Sequence, residues 1–237
     1  MVEGQFGEEQ YLYVSKERNM NQPSFDYRDL VIKDGKLVGD WDNLYKKVDD
    51  PWHQSRNDHV HDTRRQTAIL HCKKIRETYG TVKVLELGCG FGHISKQLTE
   101  LGFLTLGTDV SSEAIKKASE KNPSSVFRNA IFNDFELIYD FNPDIIIMAE
   151  LTWYVLSELD NFLFELNKYS KTRKTPTFLI HLLATYAPGV QKYGREKFTT
   201  HEEILNYFKL DYLESCFIKT VRPDDPNSQG SYFLAKL

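Results

Sequence analysis

The reading turns on residues 82–109, VKVLELGCGFGHISKQLTELGFLTLGTD. A short apolar run ends in Gly88, Gly90 and Gly92, an amphipathic stretch follows from about 93 to 101, and a second β-rich run closes on Asp109. Glycines are needed where a strand turns into a helix if the backbone is to approach a ligand that a Cβ would hold off. Asp109 stands at the end of the second strand, where a carboxylate can accept hydrogen bonds from ribose hydroxyls, so the natural ligand is a nucleoside.

A nicotinamide dinucleotide would share those features, and three observations separate it from other nucleosides. The glycines follow GxGxG, with His93 where GxGxxG needs its third glycine. Glu86, two residues before Gly88, would repel a pyrophosphate but suits a ligand carrying an amino group and a sulfonium. Asp134 and Phe135, after the third strand, offer an acceptor for an adenine amino group and an aromatic cover for the ring.

Outward from this stretch, short β-rich runs alternate with helical patterns, the signature of βαβ units and a parallel sheet. VKVLELG, TLGTDV, SVFRNAI, DIIIMAE and TFLIHLL are the strand candidates, with helices around 93–101, 112–121 and 156–170 between them. HEEILNYFK adds a helix, and YLESCFIKTV and SYFLAKL follow as strands joined without one, which predicts an antiparallel pair closing the sheet. Before the core, Asp34-Gly35 sits between short apolar runs as a hairpin signal, WDNLYKKVDDPW reads as a short helix stopped by Pro51, and residues 62–80 read as a longer helix with Asp62 as N-cap. The expected plan is an N-terminal extension and cap over residues 1–80 and a doubly wound core over 81–237.

The bulk properties bound the function. The chain has 237 residues, 41% hydrophobic and 27% charged, as expected of one sizeable α/β domain. A net charge of -4 supplies no global field for a polyanion, so no nucleic-acid partner is expected. Cys72, Cys89 and Cys216 are scattered without CxxC spacing, which fits reduced thiols in a cytoplasm. No apolar run approaches membrane-spanning length and the N-terminus is acidic and polar, so a soluble protein, monomer or homodimer, is expected. Asp58, His59, His61 and Asp62 lack a matching third cluster, and no metal is assigned to them.

With these residues in view, the chain resembles the class I S-adenosylmethionine-dependent methyltransferases. ELGCGFG is similar to their first motif, GTDVS to their second, NDF to their adenine-side acidic position and DIIIMAEL to their fourth strand. Within that class it resembles the nodulation-protein-S-like group, which methylates an amino sugar in its best-known member, through DDPWHQS, MAELTWYVL, LIHLLA and FTTHEEILNYF. The resemblance implies an α/β Rossmann-like methyltransferase fold with a mostly parallel seven-stranded sheet, S-adenosylmethionine as cofactor, and a small polar metabolite, a sugar or amino sugar, as acceptor. It implies that Glu86, Gly88, Gly90, Asp109, Val110, Asp134 and Phe135 line the cofactor, with Glu150 and Leu151 beside its methionine end.

Methyl transfer from a sulfonium is an in-line displacement on an activated carbon, so the enzyme mainly aligns the acceptor and excludes water. A base can take the acceptor's proton, and Glu150, His181 and Tyr154 lie near the carboxyl ends of the fourth and fifth strands, the edge where ligands bind in such sheets. Trp153 and Tyr154 can stack on a sugar or attract a cation, or simply pack. Trp52 and His53 can fold down from the cap over the cofactor. Arg64-Arg65, Lys73-Lys74 and residues 195–197 read as solvated helix faces, with Arg64 or Arg195 an alternative anion contact. Two rival functions stay open at this level: a nicotinamide-dependent oxidoreductase, and a non-catalytic binding protein built on the methyltransferase fold.

Overall fold

The structure, a computed structural model, describes residues 27–34, 36–52, 59–80, 82–186, 193–219 and 228–237. A small hairpin, β1 (Ile32–Lys33) and β2 (Lys36–Leu37), leads into α1 (Trp41–Lys47) and α2 (His59–Tyr79). The alternating core follows: β3 (Lys83–Leu87), α3 (His93–Glu100), β4 (Leu104–Asp109), α4 (Ser112–Lys121), β5 (Val126–Asn129), α5 (Phe135–Phe141), β6 (Ile145–Ala149), α6 (Leu159–Thr172) and β7 (Phe178–Tyr186). Then come α7 (His201–Phe208), β8 (Asp211–Lys219) and β9 (Ser228–Lys236).

The sheet has seven strands in the order β5-β4-β3-β6-β7-β9-β8. β3 to β7 pair in parallel, and β9 runs antiparallel to both β7 and β8. The fold is therefore the expected one, mostly parallel with a finishing antiparallel pair. The last strand takes the inner place because residues 230–235 of β9 are buried without interruption, whereas β8 is largely exposed. A strand apolar on both faces needs a neighbour on each side, and a half-polar one can form the edge.

Strand alternation sorts the core into two layers. Leu85, Leu87, Ile146, Met148, Leu179 and Leu183 face α5, α6 and α7, while Val84, Ile145, Ile147, Ile180 and Leu182 face α2 and α3. α2 supplies Ala68, Ile69, Cys72 and Ile75 to the second layer, so this helix packs directly against the sheet. α2 also begins at His59, which places Asp62 inside its first turn and not at its N-cap.

α5 is a helix that periodicity did not reveal. At seven residues it shows barely two turns, and its buried Leu137 and Ile138 are adjacent. Asp134 opens it by accepting from Leu137 N at 3.0 Å. α1 stands against α4: Asp42 accepts from Ser111 Oγ at 2.7 Å and from Glu113 N at 3.1 Å, capping the start of α4 from outside. The YLYVSKERN segment, His53 and Asp58 lie outside the described residues. No described helix is long and apolar enough to cross a membrane.

The turn from β3 into α3 is set by Phe127 of β5. A Cβ on Gly92, where φ is +69°, would lie 2.3 Å from Phe127 Cε1, and one on Gly107 would lie 2.8 Å from Phe127 Cδ1. Gly92→Ala is expected to cost about 3 kcal/mol, strain and overpacking together. Gly102→Ala, also at positive φ but with nothing within 4 Å, is expected to cost about 1 kcal/mol. Urea denaturation of the two variants checks this difference.

Candidate active site

A cavity of about 540 Å³ opens at the carboxyl ends of the central strands, where ligands bind in open parallel sheets. Its volume lies within the range of small-molecule sites. Glu86, Gly88, Asp109, Val110, Glu150, Leu151 and Tyr154 all line it. Sequence positions more than 60 residues apart are thus brought to one crevice by the strand order.

On the side of β3 and β4, Gly88 has φ +68°, and a Cβ there would stand 2.9 Å from Leu151 Cδ1. The left-handed backbone at Gly88 favours glycine, and a side chain there would also press on Leu151. Asp109 is buried and ties two turns together: Oδ2 accepts from Gly90 N at 3.0 Å, and Oδ1 from Ser111 N at 2.9 Å. Gly90 acts through that backbone bond and is not itself a lining residue. Burial raises the carboxyl of Asp109 above its ordinary value, against the pull of those two N–H groups. Each carboxylate oxygen keeps a second lone pair for a hydroxyl.

Glu86 is 3% exposed. Its Oε2 accepts from Ser95 N at 2.8 Å and Ser95 Oγ at 2.5 Å, bracing the first turn of α3. Burial pushes its pKa up to about 7, and Asp109 adds in the same direction. The donor set fits a ligand with ribose hydroxyls and a positive end: a glycine cradle without Cβ atoms, and two buried carboxylates beside it.

Where β5 ends, the wall is made by Ile131, Phe132 and Asn133 and not by Asp134 or Phe135. Asp134 is occupied as the cap of α5, and Phe135 packs on Phe162 with ring centroids 5.7 Å apart. The two residues marked for the adenine side therefore fall just past the cavity.

On the side of β6 and β7, Glu150 adopts φ +59°, a left-handed conformation that a non-glycine residue enters at a cost. Its amide donates to Leu182 O at 2.8 Å, its Oε2 accepts from Ala184 N at 2.5 Å, and its Oε1 lies 2.8 Å from Arg64 Nη1. The carboxylate is thus held at the tip of β7. Tyr154 rides on the turn after β6, its ring against Trp41 at 5.1 Å and Trp52 at 5.5 Å. Burial, with Tyr186 and Glu150 nearby, pushes the Tyr154 hydroxyl well above its ordinary value, so it remains a neutral donor.

His181 does not reach the cavity. It is 0% exposed, its ring stacks on Phe233 at 4.6 Å and meets Phe208 at 4.8 Å. Burial drives its pKa down to about 3, which leaves the ring neutral. Strand alternation turns this position toward α7, away from Leu182 and Ala184 of the lining. Its Nε2 meets Thr152 Oγ1 at 2.7 Å, so it supports the turn that carries Tyr154 and is no candidate for the base.

Trp41, Tyr45 and Tyr186 line the cavity without having been marked in the sequence. Trp41 and Tyr45, at i and i+4 with Leu44 between, form the inward stripe of α1, a signal too short to weigh alone. Trp52 does cover the cavity, held by its Nε1 donating to Tyr45 Oη at 3.0 Å. Arg64, read as part of a solvated face, is only 3% exposed and lines the cavity.

The sheet order, the glycine cradle and the paired carboxylates define a class I methyltransferase fold. Residues 84–172 match the family described as Methyltransferase domain. No curated protein matches the chain. Among solved structures, the N-methyltransferase NodS from Bradyrhizobium japonicum WM9, in complex with S-adenosyl-L-homocysteine, is 18% identical over 79% of this chain and 93% of its own, with a TM-score of 0.54. WbdD, crystallised with a kinase inhibitor, is 18% identical over 78% of this chain and 43% of its own, with a TM-score of 0.55. TehB from Haemophilus influenzae is 16% identical over 79% and 66%, with a TM-score of 0.50. At such identities these likenesses speak to the fold. Residues 84–172 thus carry the match to a methyltransferase domain, within a chain that has the Rossmann-like methyltransferase fold.

Glu86 gives a pH signature. A cation placed beside it favours its ionised form, so binding expels the proton that burial retains below about pH 7. Affinity for S-adenosylhomocysteine, whose amino group is cationic, is expected to rise by up to about tenfold between pH 6 and 8. Calorimetry across that range should show the rise in the wild type and a flat profile in Glu86→Gln.

Proposed function

We propose that the chain transfers a methyl group to the nitrogen or oxygen of a small polar metabolite, of the sugar or amino-sugar kind, bound at the β6–β7 end of the cavity. The observation that carries this is the shared cavity: Gly88 and Asp109 at one end, Glu150 and Tyr154 at the other. When bound, S-adenosylmethionine supplies a methyl carbon whose bond to sulfur breaks as the acceptor's lone pair bonds to it, the electron pair leaving on sulfur.

The chain's own residues do the rest. Asp109 accepts from ribose hydroxyls, and Leu151 lines the cavity above Gly88. Ala184 N and Arg64 hold the Glu150 carboxylate in one place, where it accepts the proton that an amine or hydroxyl loses on methylation. The Tyr154 hydroxyl donates to the acceptor, and Trp41, Trp52 and Tyr154 together provide aromatic faces for a sugar ring and a barrier to water. The name of NodS as an N-methyltransferase supports nitrogen as the methylated atom. The buried Glu86 and the absence of a third glycine at His93 speak against a pyrophosphate-bearing nicotinamide cofactor.

Two variants test the two ends separately. Asp109→Ala is expected to weaken S-adenosylhomocysteine binding by roughly 10- to 100-fold in calorimetry, the worth of charge-assisted hydrogen bonds; equal affinities would remove the cofactor site from this place. Glu150→Gln keeps the acceptor for Ala184 N and is expected to lower kcat about 100-fold, a larger effect than its effect on S-adenosylhomocysteine affinity. Turnover of labelled donor on sugar and amine acceptors provides the assay.

A further inference from the structure

Arg64 is a buried cation whose donors are not used up. Its Nη1 lies 2.8 Å from Glu150 Oε1, yet the approach misses hydrogen-bond geometry, and among the described residues neither Nε nor Nη1 has a hydrogen-bond partner. Burying guanidinium donors without acceptors is costly. The residue lines the cavity, and Glu150, the charge beside it, is already committed to Ala184 N through its other oxygen.

The sheet is also shaped to admit this side chain. Gly230 lies inside β9, opposite Ala184 of β7, and a Cβ there would stand 3.0 Å from Arg64 Cδ and 3.2 Å from Nη1. Glycine weakens an interior strand, and its presence marks a close approach by something else. Here the arginine stem makes that approach. The guanidinium therefore lies over β7 and β9, with β6 between it and the Gly88 turn of β3. That places it at the acceptor end of the crevice.

Resting on the function proposed above, we propose that Arg64 is a recognition site for an oxyanion, a carboxylate or a phosphate, carried by the methyl acceptor. A planar fork of N–H donors matches two oxygens of either group, and a partly desolvated setting strengthens the pairing. Glu150 on one side and Arg64 on the other then read an acceptor that has a protonated nucleophile and an acidic group a few bonds apart. Such an acceptor is an acidic sugar, a sugar phosphate or an amino acid derivative, and not a neutral glycoside.

The test uses the full chain saturated with S-adenosylhomocysteine, titrated with inorganic phosphate and, separately, with acetate, at constant ionic strength balanced with chloride. Thermal unfolding reports binding. The wild type is expected to gain stability with at least one of the two anions over chloride, and whichever does so distinguishes phosphate from carboxylate. Arg64→Gln is expected to need about tenfold more anion for the same gain. Gly230→Ala keeps the charge but pushes the side chain out of its slot, and is expected to weaken the response in the same direction, which covers the case in which Arg64→Gln folds poorly.

An equal response in wild type and Arg64→Gln, or no response in the wild type at tens of millimolar anion, would overturn the proposal. So would a tenfold loss of S-adenosylhomocysteine affinity in Arg64→Gln, which would assign the residue to the methionine carboxylate. Failure of the cofactor reading is seen separately, in an unchanged affinity of Asp109→Ala.

Discussion

Asp109 is the constraint on which the carboxyl edge of the sheet depends. Its two oxygens are committed to the backbones of two different turns, Gly90 after β3 and Ser111 after β4. One buried carboxylate thereby fixes the spacing of two helix entrances. α4 is then capped by Ser111 from within and by Asp42 from outside, so the position of α1 follows from the same turn. Through α1, Trp41 and Tyr45 are brought over the cavity. Removing Asp109 would disturb two turns and the cover at once, because they form one connected set of hydrogen bonds.

The cost of this arrangement is visible in its carboxylates. Glu86 and Asp109 are both buried, and burial raises both above their ordinary values. Hydrogen bonds from Ser95, Gly90 and Ser111 compensate only part of that, as expected where desolvation is the largest effect. Two like charges near a glycine turn are an unstable choice for an empty fold and a sensible one for a site that receives a cation. The strained backbone of Glu150 follows the same logic: it holds a carboxylate at the strand tip against a backbone preference for the other side of φ.

The parts of the fold legible in the sequence were those with strong local periodicity. The β3 to β4 stretch, the strands of the parallel sheet and the antiparallel finish all announced themselves through apolar runs and turn residues. Short elements did not. α5 is seven residues long, and its start at Phe135 makes Asp134 its cap and packs Phe135 on Phe162, neither of which the sequence pattern showed. His181 shows a second kind of limit. Its strand was placed correctly, but which face a residue presents depends on register against β6 and β9, and one step along β7 separates a lining position from a stacked core ring.

Arg64 shows a third limit, since two adjacent arginines near the start of a helix look like a solvated face until the partner of each is known. α2 packs Ala68, Ile69, Cys72 and Ile75 against the sheet, and Arg64, on the same helix, is buried with them and not in water. A guanidinium arriving there can be tolerated only if the sheet yields space and the cavity provides acceptors. Gly230 yields the space, and Glu150 provides a counter-charge 2.8 Å from Nη1 without hydrogen-bond geometry. The guanidinium thus has its space and a counter-charge while Nε and Nη1 still lack acceptors, which is the condition expected of a side chain built to meet something that enters.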